Sequence, residues 1–295
     1  MPIAIRPRRS VPFMPGSNAR AFERAKTLPA AAFIFDLEDA VAPNAKETAR
    51  QMVCDAVRAG GYRKRELIIR VNALETAWGD DDLAAIATSD ADAILLPKVE
   101  SGDMVRQVLS IFTEHGVPEH LAIWCMLETP RGILRAEAIA ASPCVAALVM
   151  GTSDLTKELH ARHIRERLPI LPSLGWCLLV GRAHGLTVLD GVHLDLNDDE
   201  DFGYACRQAV DMGFDGKTLI HPKTIAMANR IFAPSSDELA AAHKIIATHA
   251  EAIARGTGVV VVDGRLIENV HVEEAHRLVT LAKAIAILEA DAEAG

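Results

Sequence analysis

Eight short apolar runs, most of them followed by a helix-length amphipathic stretch, constrain the fold of this chain more than any other feature. The runs are bounded by turn residues and lie at Ser10–Met14, Ala31–Phe35, Leu67–Val71, Ala93–Leu96, Leu121–Leu127, Val145–Met150, Thr187–Leu189 and Thr218–Ile220. The clearest amphipathic stretches are Ala45–Ala59, Gly102–His115, Pro130–Ala141 and Glu200–Met212. A strand followed by a helix, repeated eight times, predicts an α/β fold, the closed (β/α)8 or TIM barrel.

The repeats end near Phe232, which divides the chain into two predicted domains. We expect a barrel domain over residues 1–233 and a C-terminal extension over residues 234–295. The extension opens with the polar segment 233–238, which supplies a helix N-cap. A long Ala-rich helix is predicted to run from there to about Arg255.

A second small structural unit is predicted at the C-terminal end of the extension. The β-branched run Val259–Val262 predicts a strand, Asp263–Gly264 a turn, and the sequence from about Val272 a terminal helix. Two interpretations stay open. The segment is either a final helix that packs on the barrel or a lid over a neighbouring active site.

Composition limits the classes of partner and the compartment. The formal charge is −9, from 31 Lys and Arg against 40 Asp and Glu, so we expect no overall attraction to nucleic acid or to an anionic membrane surface. No stretch is long and apolar enough to span a bilayer. The five cysteines are odd in number and show no CxxC spacing, which is typical of reduced thiols. We therefore expect a cytoplasmic protein.

Charged and polar residues follow most of the predicted strands, at the barrel face where active sites lie. They are Asp36, Glu38, Asp39, Arg70, Asn72, Lys98, Glu128, Asp154, Asp190, His193 and His221. Glu128 and Asp154 follow adjacent strands, and two carboxylates with open remaining positions suit Mg²⁺. A helix cap or a surface ion pair is the alternative for either acid alone.

The acids after the second strand need a positive partner. Asp36, Glu38 and Asp39 would place three negative charges near the predicted metal, where one role is to hold metal-bound waters. Arg70 ends the third strand and supplies either a counter-charge or a donor to an oxygen that becomes negative during reaction. A structural Arg–Asp bridge across the barrel mouth is the alternative, and it does not exclude catalysis.

A basic helix start follows the first predicted strand. Backbone N–H groups after Gly16, together with Arg20, Arg24 and Lys26, could hold a phosphate. The alternative is an ordinary solvated surface.

With these residues in place, the chain resembles the citrate lyase β-subunit-like family of acyl-CoA lyases, which includes malyl-CoA and citramalyl-CoA lyases, in the HpcH/HpaI aldolase superfamily. The matching motifs are PFMPGSNARAFERA, FDLEDAV, IIRVN, LLPKVE, LETPRG, GTSDL and GKTLIHPKTIAMANRIF, which span residues 12–232 in order. The resemblance implies a TIM barrel that binds Mg²⁺, acts on a small-molecule coenzyme A thioester and assembles as a homotrimer or hexamer.

The resemblance also implies roles for individual residues. Glu128 and Asp154 match the metal ligands of the family, and Arg70 matches the arginine that contacts substrate. The acidic loop beside the metal-bound waters is matched by Asp36, Glu38 and Asp39.

Two further assignments follow from the resemblance. Phe13, Arg20 and Lys26 fall in the segment that contacts the CoA moiety in relatives. In those lyases the C-terminal segment of one subunit covers the site of another and supplies an Asp from a short G-x-M-I-D motif. The corresponding stretch here is Gly264–Glu268, so Glu268 stands where relatives have that Asp.

The expected reaction is the reversible, Mg²⁺-dependent cleavage of a 3-hydroxyacyl-CoA, such as malyl-, citramalyl- or citryl-CoA, into an acyl-CoA and a 2-oxo acid. Arg70 would offset charge on the enolate oxygen, and Glu268 would protonate the enolate carbon. Three alternatives stay open: a malyl-CoA thioesterase, a CoA-independent 2-oxo-acid aldolase, and a citrate lyase beta subunit that acts on a carrier-bound thioester within a complex.

Overall fold

A closed barrel of eight parallel strands forms the core of the molecule. The computed structural model describes residues 6–117, 121–256 and 260–293. The barrel strands are β1 (Ser10–Pro15), β2 (Ala32–Asp36), β3 (Glu66–Arg70), β4 (Ala93–Leu96), β5 (Ala122–Leu127), β6 (Val145–Met150), β7 (Thr187–Asp190) and β8 (Gly216–Leu219). Each pairs in parallel with its neighbours in sequence, and β8 closes on β1. The predicted (β/α)8 barrel is confirmed.

Helices follow the barrel strands and cover the outside of the sheet. They are α1 (Ala19–Ala25), α2 (Lys46–Ala59), α3 (Gly79–Ile86), α4 (Gly102–His115), α5 (Pro130–Leu134), α6 (Ala136–Ala140), α7 (Thr152–Glu158), α8 (Leu171–Ala183), α9 (Asp199–Met212) and α10 (Ile225–Ile231). The predicted helix Pro130–Ala141 is instead two short helices, because Arg135 leaves the helical conformation at φ −109° and ψ 12°. No helix in the described ranges combines the length and apolar character needed to cross a membrane.

The barrel interior is filled by apolar side chains. These are Val11, Ala32, Ile34, Ile68, Ala93, Leu95, Trp124, Met126, Ala147, Val149 and Leu189. Because side chains alternate along a strand, residues two positions after the last interior residue of a strand also face inward. Asp36, Arg70, Glu128 and Gly151 occupy these positions after Ile34, Ile68, Met126 and Val149. The row of residues that face the barrel interior therefore changes from apolar to mostly polar at the carboxyl ends of the strands.

The chain separates into two compact units. Residues 8–232 form the barrel unit, and the described residues among 1–7 and 233–295 form the other. In the second unit, Ser235 and Glu238 make a reciprocal capping box at the start of α11 (Ser236–Ala254).

A hairpin and a long helix complete the C-terminal unit. The strands β9 (Val260–Val262) and β10 (Arg265–Ile267) are antiparallel, and Val259 of the predicted strand lies outside the described residues. Asp263 and Gly264 join them at φ 50° and 76°, the left-handed pair that a tight hairpin turn requires. The final helix α12 (Asn269–Glu293) begins three residues before the predicted start.

Candidate active site

A cavity of about 390 Å³ lies at the carboxyl ends of the barrel strands. Six of the predicted site residues line it: Phe13, Asp36, Asp39, Arg70, Glu128 and Asp154. Its remaining lining is mostly apolar or small: Pro15, Ala40, Met126, Met150, Gly151, Thr152, Ser153, Val192 and Ile220. The cavity has the volume and mixed lining of a small-molecule site.

Glu128 is buried at the cavity and has one carboxylate oxygen that accepts no hydrogen bond from any residue that the structure describes. The residue is 2% exposed, and its Oε1 accepts a 2.8 Å hydrogen bond from the backbone N–H of Lys98. Within the described part of the chain, Oε2 accepts no hydrogen bond. Thr129 caps the following helix by accepting from the N–H of Gly132, as the Thr-Pro pair predicts, which fixes the backbone just after Glu128.

Gly151 leaves the space that the Glu128 side chain occupies. A Cβ atom at position 151 would lie 2.2 Å from Glu128 Cβ and 2.5 Å from its Oε2. Only glycine fits there without moving the carboxylate. The sequence contains the glycine, but the reason for it is visible only in the packing.

Asp154 lies in the first turn of α7, one turn past the end of β6. Its side chain is 36% exposed, and the nearest cation is Lys98 Nζ, 4.0 Å from Oδ2. Among the described residues, no group donates a hydrogen bond to this carboxylate. Asp154 and Glu128 therefore border the same cavity with carboxylate oxygens that lack donors.

Arg70 and Asp36 form a bridge across the barrel mouth. Nε and Nη2 of Arg70 each donate a 2.6 Å hydrogen bond to a separate oxygen of Asp36. Asp36 also accepts from the backbone N–H groups of Glu38 and Ala40 at 2.9 and 3.1 Å. Four donors fill this buried carboxylate, so Asp36 anchors the acidic loop and has little capacity left for metal-bound waters.

The other contacts of Arg70 come from the same loop and from β1. Nη1 donates to Asp39 at 3.3 Å and forms an ion pair with Glu38, whose Oε2 lies 2.7 Å away. The Phe13 ring centre is 4.8 Å from the guanidinium carbon. The second hydrogen of Nη2 has no acceptor among the described residues, and Arg70 lines the cavity.

Two lysines without a predicted role hold the acidic loop. Lys46 is 6% exposed and donates to the backbone carbonyls of Leu37 and Glu38 at 2.8 and 2.6 Å. Lys98 Nζ donates to Glu38 Oε1 at 2.8 Å. Lys98 directly follows a predicted strand, so its position could have indicated a role in the site. Lys46 begins a helix, and its position gives no such indication.

Burial and charge shift several pKa values in the site. Burial, with the charge of Glu38 adding to it, raises the pKa of Glu128 to about 7. Burial also raises the pKa of Glu38, against the opposing charge of Arg70. Burial acts to lower the pKa of Lys98, but the hydrogen bond and charge of Glu38 outweigh it and raise that pKa. Burial is therefore the main cause that raises the pKa of both glutamates, and the nearby cations offset it only in part.

Four predicted residues are not part of the cavity lining. Glu38 lies in the acidic loop and contacts Arg70 and Lys98. Arg20 is exposed on α1, and Lys26 pairs with Glu23 at 2.7 Å and lies 5.7 Å from the Tyr62 ring centre. Glu268 belongs to the C-terminal unit, where its backbone N–H donates to His271 Nδ1 at 3.0 Å. The roles of Arg20 and Lys26 in CoA binding and of Glu268 in proton transfer remain predictions.

The donor set fits a divalent cation that keeps open positions. No three His, Cys, Asp or Glu side chains of the described chain come close enough to hold a metal ion together. Mg²⁺ needs no such cage, because it usually takes one or two carboxylates and completes its shell with water or substrate oxygens. Glu128 Oε2 and the Asp154 carboxylate are hard oxygen donors that face a cavity without competing hydrogen bonds, so they fit this ion.

Comparison with known proteins agrees with this architecture. The HpcH/HpaI aldolase/citrate lyase family matches residues 9–222. A (3S)-malyl-CoA thioesterase of Cereibacter sphaeroides is 48% identical over 95% of this chain and 96% of its own length. The citrate lyase subunit beta of Escherichia coli is 33% identical over 96% of each chain.

Solved structures show the same similarity. CitE from Mycobacterium tuberculosis, in complex with magnesium, acetoacetate and coenzyme A, superposes with a TM-score of 0.75. That match has 26% identity and covers 93% of this chain and 97% of CitE. From the family match and these relatives, the chain belongs to the HpcH/HpaI aldolase/citrate lyase family of enzymes.

Proposed function

We propose that this protein is a Mg²⁺-dependent carbon–carbon lyase that cleaves the CoA thioester of a 3-hydroxy acid into an acyl-CoA and a 2-oxo acid. The observation that carries the proposal is the pair Glu128 and Asp154, which border one cavity. No described residue donates a hydrogen bond to Glu128 Oε2 or to the Asp154 carboxylate. The magnesium and coenzyme A bound to the related CitE support it.

Glu128 and Asp154 are the residues that would hold Mg²⁺. When bound, the ion supplies Lewis-acid polarisation of the carboxylate and hydroxyl oxygens of the substrate. The protein holds the Glu128 carboxylate in a fixed position. The backbone N–H of Lys98 orients it by a hydrogen bond, and Gly151 leaves the space that it occupies. Asp154, partly exposed in the first turn of α7, completes the pair.

Arg70 is the donor that would face the enolate oxygen of the departing thioester. Asp36 fixes the guanidinium plane of Arg70, which lines the cavity and keeps one Nη2 hydrogen that no described residue accepts. A fixed donor aimed at developing charge stabilises the transition state without reorganisation. We assign the proton that returns to the enolate carbon to Glu268, the residue that stands where relatives of this family carry an Asp.

Thioester hydrolysis is a second candidate reaction. A relative that is 48% identical over nearly the whole chain is a (3S)-malyl-CoA thioesterase, which favours the same substrate class with cleavage at the thioester bond. Both reactions need the carboxylate, hydroxyl and thioester groups of the substrate to be held in one cavity. They differ in which bond breaks.

Product analysis separates the candidates. The purified chain is incubated with malyl-, methylmalyl-, citramalyl- and citryl-CoA, with Mg²⁺ or with EDTA, and products are resolved by chromatography. A lyase releases a 2-oxo acid together with an acyl-CoA, whereas a thioesterase releases free CoA and the intact hydroxy acid. Turnover of free acids without CoA indicates an aldolase. Inactivity on every free acyl-CoA, with activity on a carrier-bound thioester, indicates a citrate lyase subunit.

Two variants test the metal assignment in the same assay. Glu128→Gln and Asp154→Asn keep the side-chain volumes and remove one ligand charge each, so both should abolish Mg²⁺-dependent turnover. Asp199→Asn removes a 68% exposed carboxylate that pairs with Lys223, and it should leave turnover unchanged. Full turnover in both ligand variants contradicts the assignment.

We further propose that the protein is cytoplasmic and assembles as a homotrimer or hexamer. The five free cysteines support a reducing compartment, since four of them are buried among apolar residues. Light scattering after size-exclusion chromatography measures the assembly directly.

A further inference from the structure

Lys98 contacts three acids of the site through two different groups. Its backbone N–H donates to Glu128 Oε1 at 2.8 Å. Its ammonium donates to Glu38 Oε1 at 2.8 Å and lies 4.0 Å from Asp154 Oδ2. One residue is thus tied to both carboxylates that would hold Mg²⁺ and to the loop beside them.

The ammonium of Lys98 faces the part of the site that Arg70 does not neutralise. Arg70 is committed to Asp36 and the neighbouring loop acids through the contacts described above. In the described chain, the basic side chain within 4.0 Å of Asp154 is that of Lys98 alone. A cation of the protein therefore sits beside the carboxylates where an external cation would bind.

The backbone of Lys98 is fixed while its side chain has room to move. Lys98 adopts φ 49°, a left-handed conformation that is uncommon for a residue with a side chain, and the hydrogen bond to Glu128 holds it there. The side chain is 43% exposed, so the ammonium can turn into solvent without breaking a packed core. Pairs at this exposure are weak, and they yield to a stronger competitor.

We propose that the Lys98 ammonium is a placeholder cation, which balances Glu38 and Asp154 in the metal-free protein and withdraws from Asp154 when a divalent cation binds. This inference rests on the proposed function, because it takes Glu128 and Asp154 as the ligands. A unit positive charge held this close to a divalent ion opposes its binding. Lys98 therefore weakens the affinity for Mg²⁺ and keeps the metal exchangeable.

Calorimetry of Mg²⁺ binding tests the proposal without measuring turnover. The full chain is freed of metal with EDTA, dialysed and titrated with Mg²⁺ as wild type, Lys98→Met and Lys98→Arg. Lys98→Met should bind Mg²⁺ at least about tenfold more tightly, because it removes the competing charge. Lys98→Arg keeps the charge and should bind like the wild type. The matched control is Lys157→Met, an exposed lysine three residues beyond Asp154, which should also bind like the wild type.

Thermal unfolding gives a second readout. Without metal, Lys98→Met should melt at a lower temperature than the wild type, since Asp154 and Glu38 lose the positive charge of Lys98. Saturating Mg²⁺ should raise its melting temperature more than that of the wild type. If Lys98→Met does not fold, Lys98→Asn serves the same test, because Asn is neutral and tolerates the left-handed backbone.

The outcomes separate this inference from the proposed function. Mg²⁺ binding by the wild type, with equal or weaker binding by Lys98→Met, overturns the placeholder role and leaves the metal site intact. No Mg²⁺ binding by any protein overturns the proposed metal site and the placeholder role together. Tighter binding by Lys98→Met and wild-type binding by Lys98→Arg support the proposal.

Discussion

Arg70 and Asp36 occupy paired positions on β3 and β2, and two hydrogen bonds of 2.6 Å join the guanidinium to both oxygens of the carboxylate. The planar fork of arginine matches the two carboxylate oxygens, so the pair fixes the orientation of the guanidinium as well as its position. Burial acts to lower the pKa of Arg70, but Asp36 and its neighbours outweigh it and hold that pKa above its ordinary value. The donor that faces the cavity is therefore permanently charged and rigidly placed.

Substitution of Arg70 by Lys should slow turnover strongly while leaving the fold intact. A lysine keeps the charge but cannot make the two parallel bonds to Asp36, so the donor toward the cavity loses its fixed direction. We expect kcat to fall by about 10²–10³, the usual effect of losing one preorganised donor. Steady-state kinetics measures the fall. Arg182→Lys, at an exposed pair with Asp215, is the control and should be silent.

Glu268 gives a separate test of proton transfer. Glu268→Ala should slow turnover, because it removes the proposed proton donor to the enolate carbon, while CoA binding measured by calorimetry stays unchanged. Glu273→Ala removes an exposed acid on α12 and serves as the control. An unaltered rate in Glu268→Ala would show that another group handles the proton.

Gly151→Ala should displace the Glu128 carboxylate although it changes none of the polar residues of the site. The new methyl group would lie 2.2 Å from Glu128 Cβ, so the carboxylate must shift. We expect weaker Mg²⁺ binding and lower turnover, measured by calorimetry and kinetics. Gly175→Ala is the matched control, because nothing lies within 4 Å of its new methyl group in α8. That variant should gain up to about 1 kcal/mol of stability from helix propensity. Wild-type Mg²⁺ affinity in Gly151→Ala would contradict the packing argument.

The barrel and its eight strands could be predicted because apolar runs and turn residues indicate burial directly. The short strand β10 was not predicted, because the three residues Arg265–Ile267 are too few to show an alternation of apolar and polar side chains. The break at Arg135 was missed as well, because nothing in the local sequence forbids a continuous helix.

The sequence likewise predicted some positions of the site and not others. Residues at strand ends that continue the interior row, such as Arg70 and Glu128, lie where their positions predicted. Asp190 also follows a predicted strand, yet it shares the outward-facing row with Val188 and pairs with Lys217 and Arg167 instead of lining the cavity. The register of a strand decides which of its residues face the barrel interior, and a shift of one residue exchanges the two faces. The apolar runs do not locate a strand to within one residue, so the sequence did not predict the face on which Asp190 lies.

The raised pKa of Glu128 should make the stability of the metal-free protein depend on pH. Burial raises its pKa to about 7 in the folded state, from an ordinary value of 4.5, so between these values the folded state holds a proton that the unfolded state has lost. The free energy of unfolding should fall as pH rises through this window, and the cost should be constant above it. Glu128→Gln removes the group, so in EDTA it should be more stable than the wild type by about 1–3 kcal/mol at about pH 8, with the difference shrinking toward pH 5. Denaturant titrations measure both proteins, and an equal pH response would contradict the assignment.

The buried ion cluster around Asp190 should be the most sensitive point of the barrel wall between β7 and β8. Asp190 is fully buried and accepts hydrogen bonds from Lys217 Nζ at 2.6 Å and from Arg167 Nη1 at 2.8 Å. Burial alone would raise its pKa, but the charges of Lys217 and Arg167 outweigh it and hold that pKa below the ordinary value.

Asp190→Asn leaves these two cations buried without a counter-charge, so we expect a loss of about 3–5 kcal/mol in the free energy of unfolding. Denaturant titration at neutral pH measures the loss. The control Asp199→Asn breaks an exposed pair and should cost less than about 1 kcal/mol. If the two variants were equally stable, Asp190 would not be the charge that holds Lys217 and Arg167 in the barrel wall.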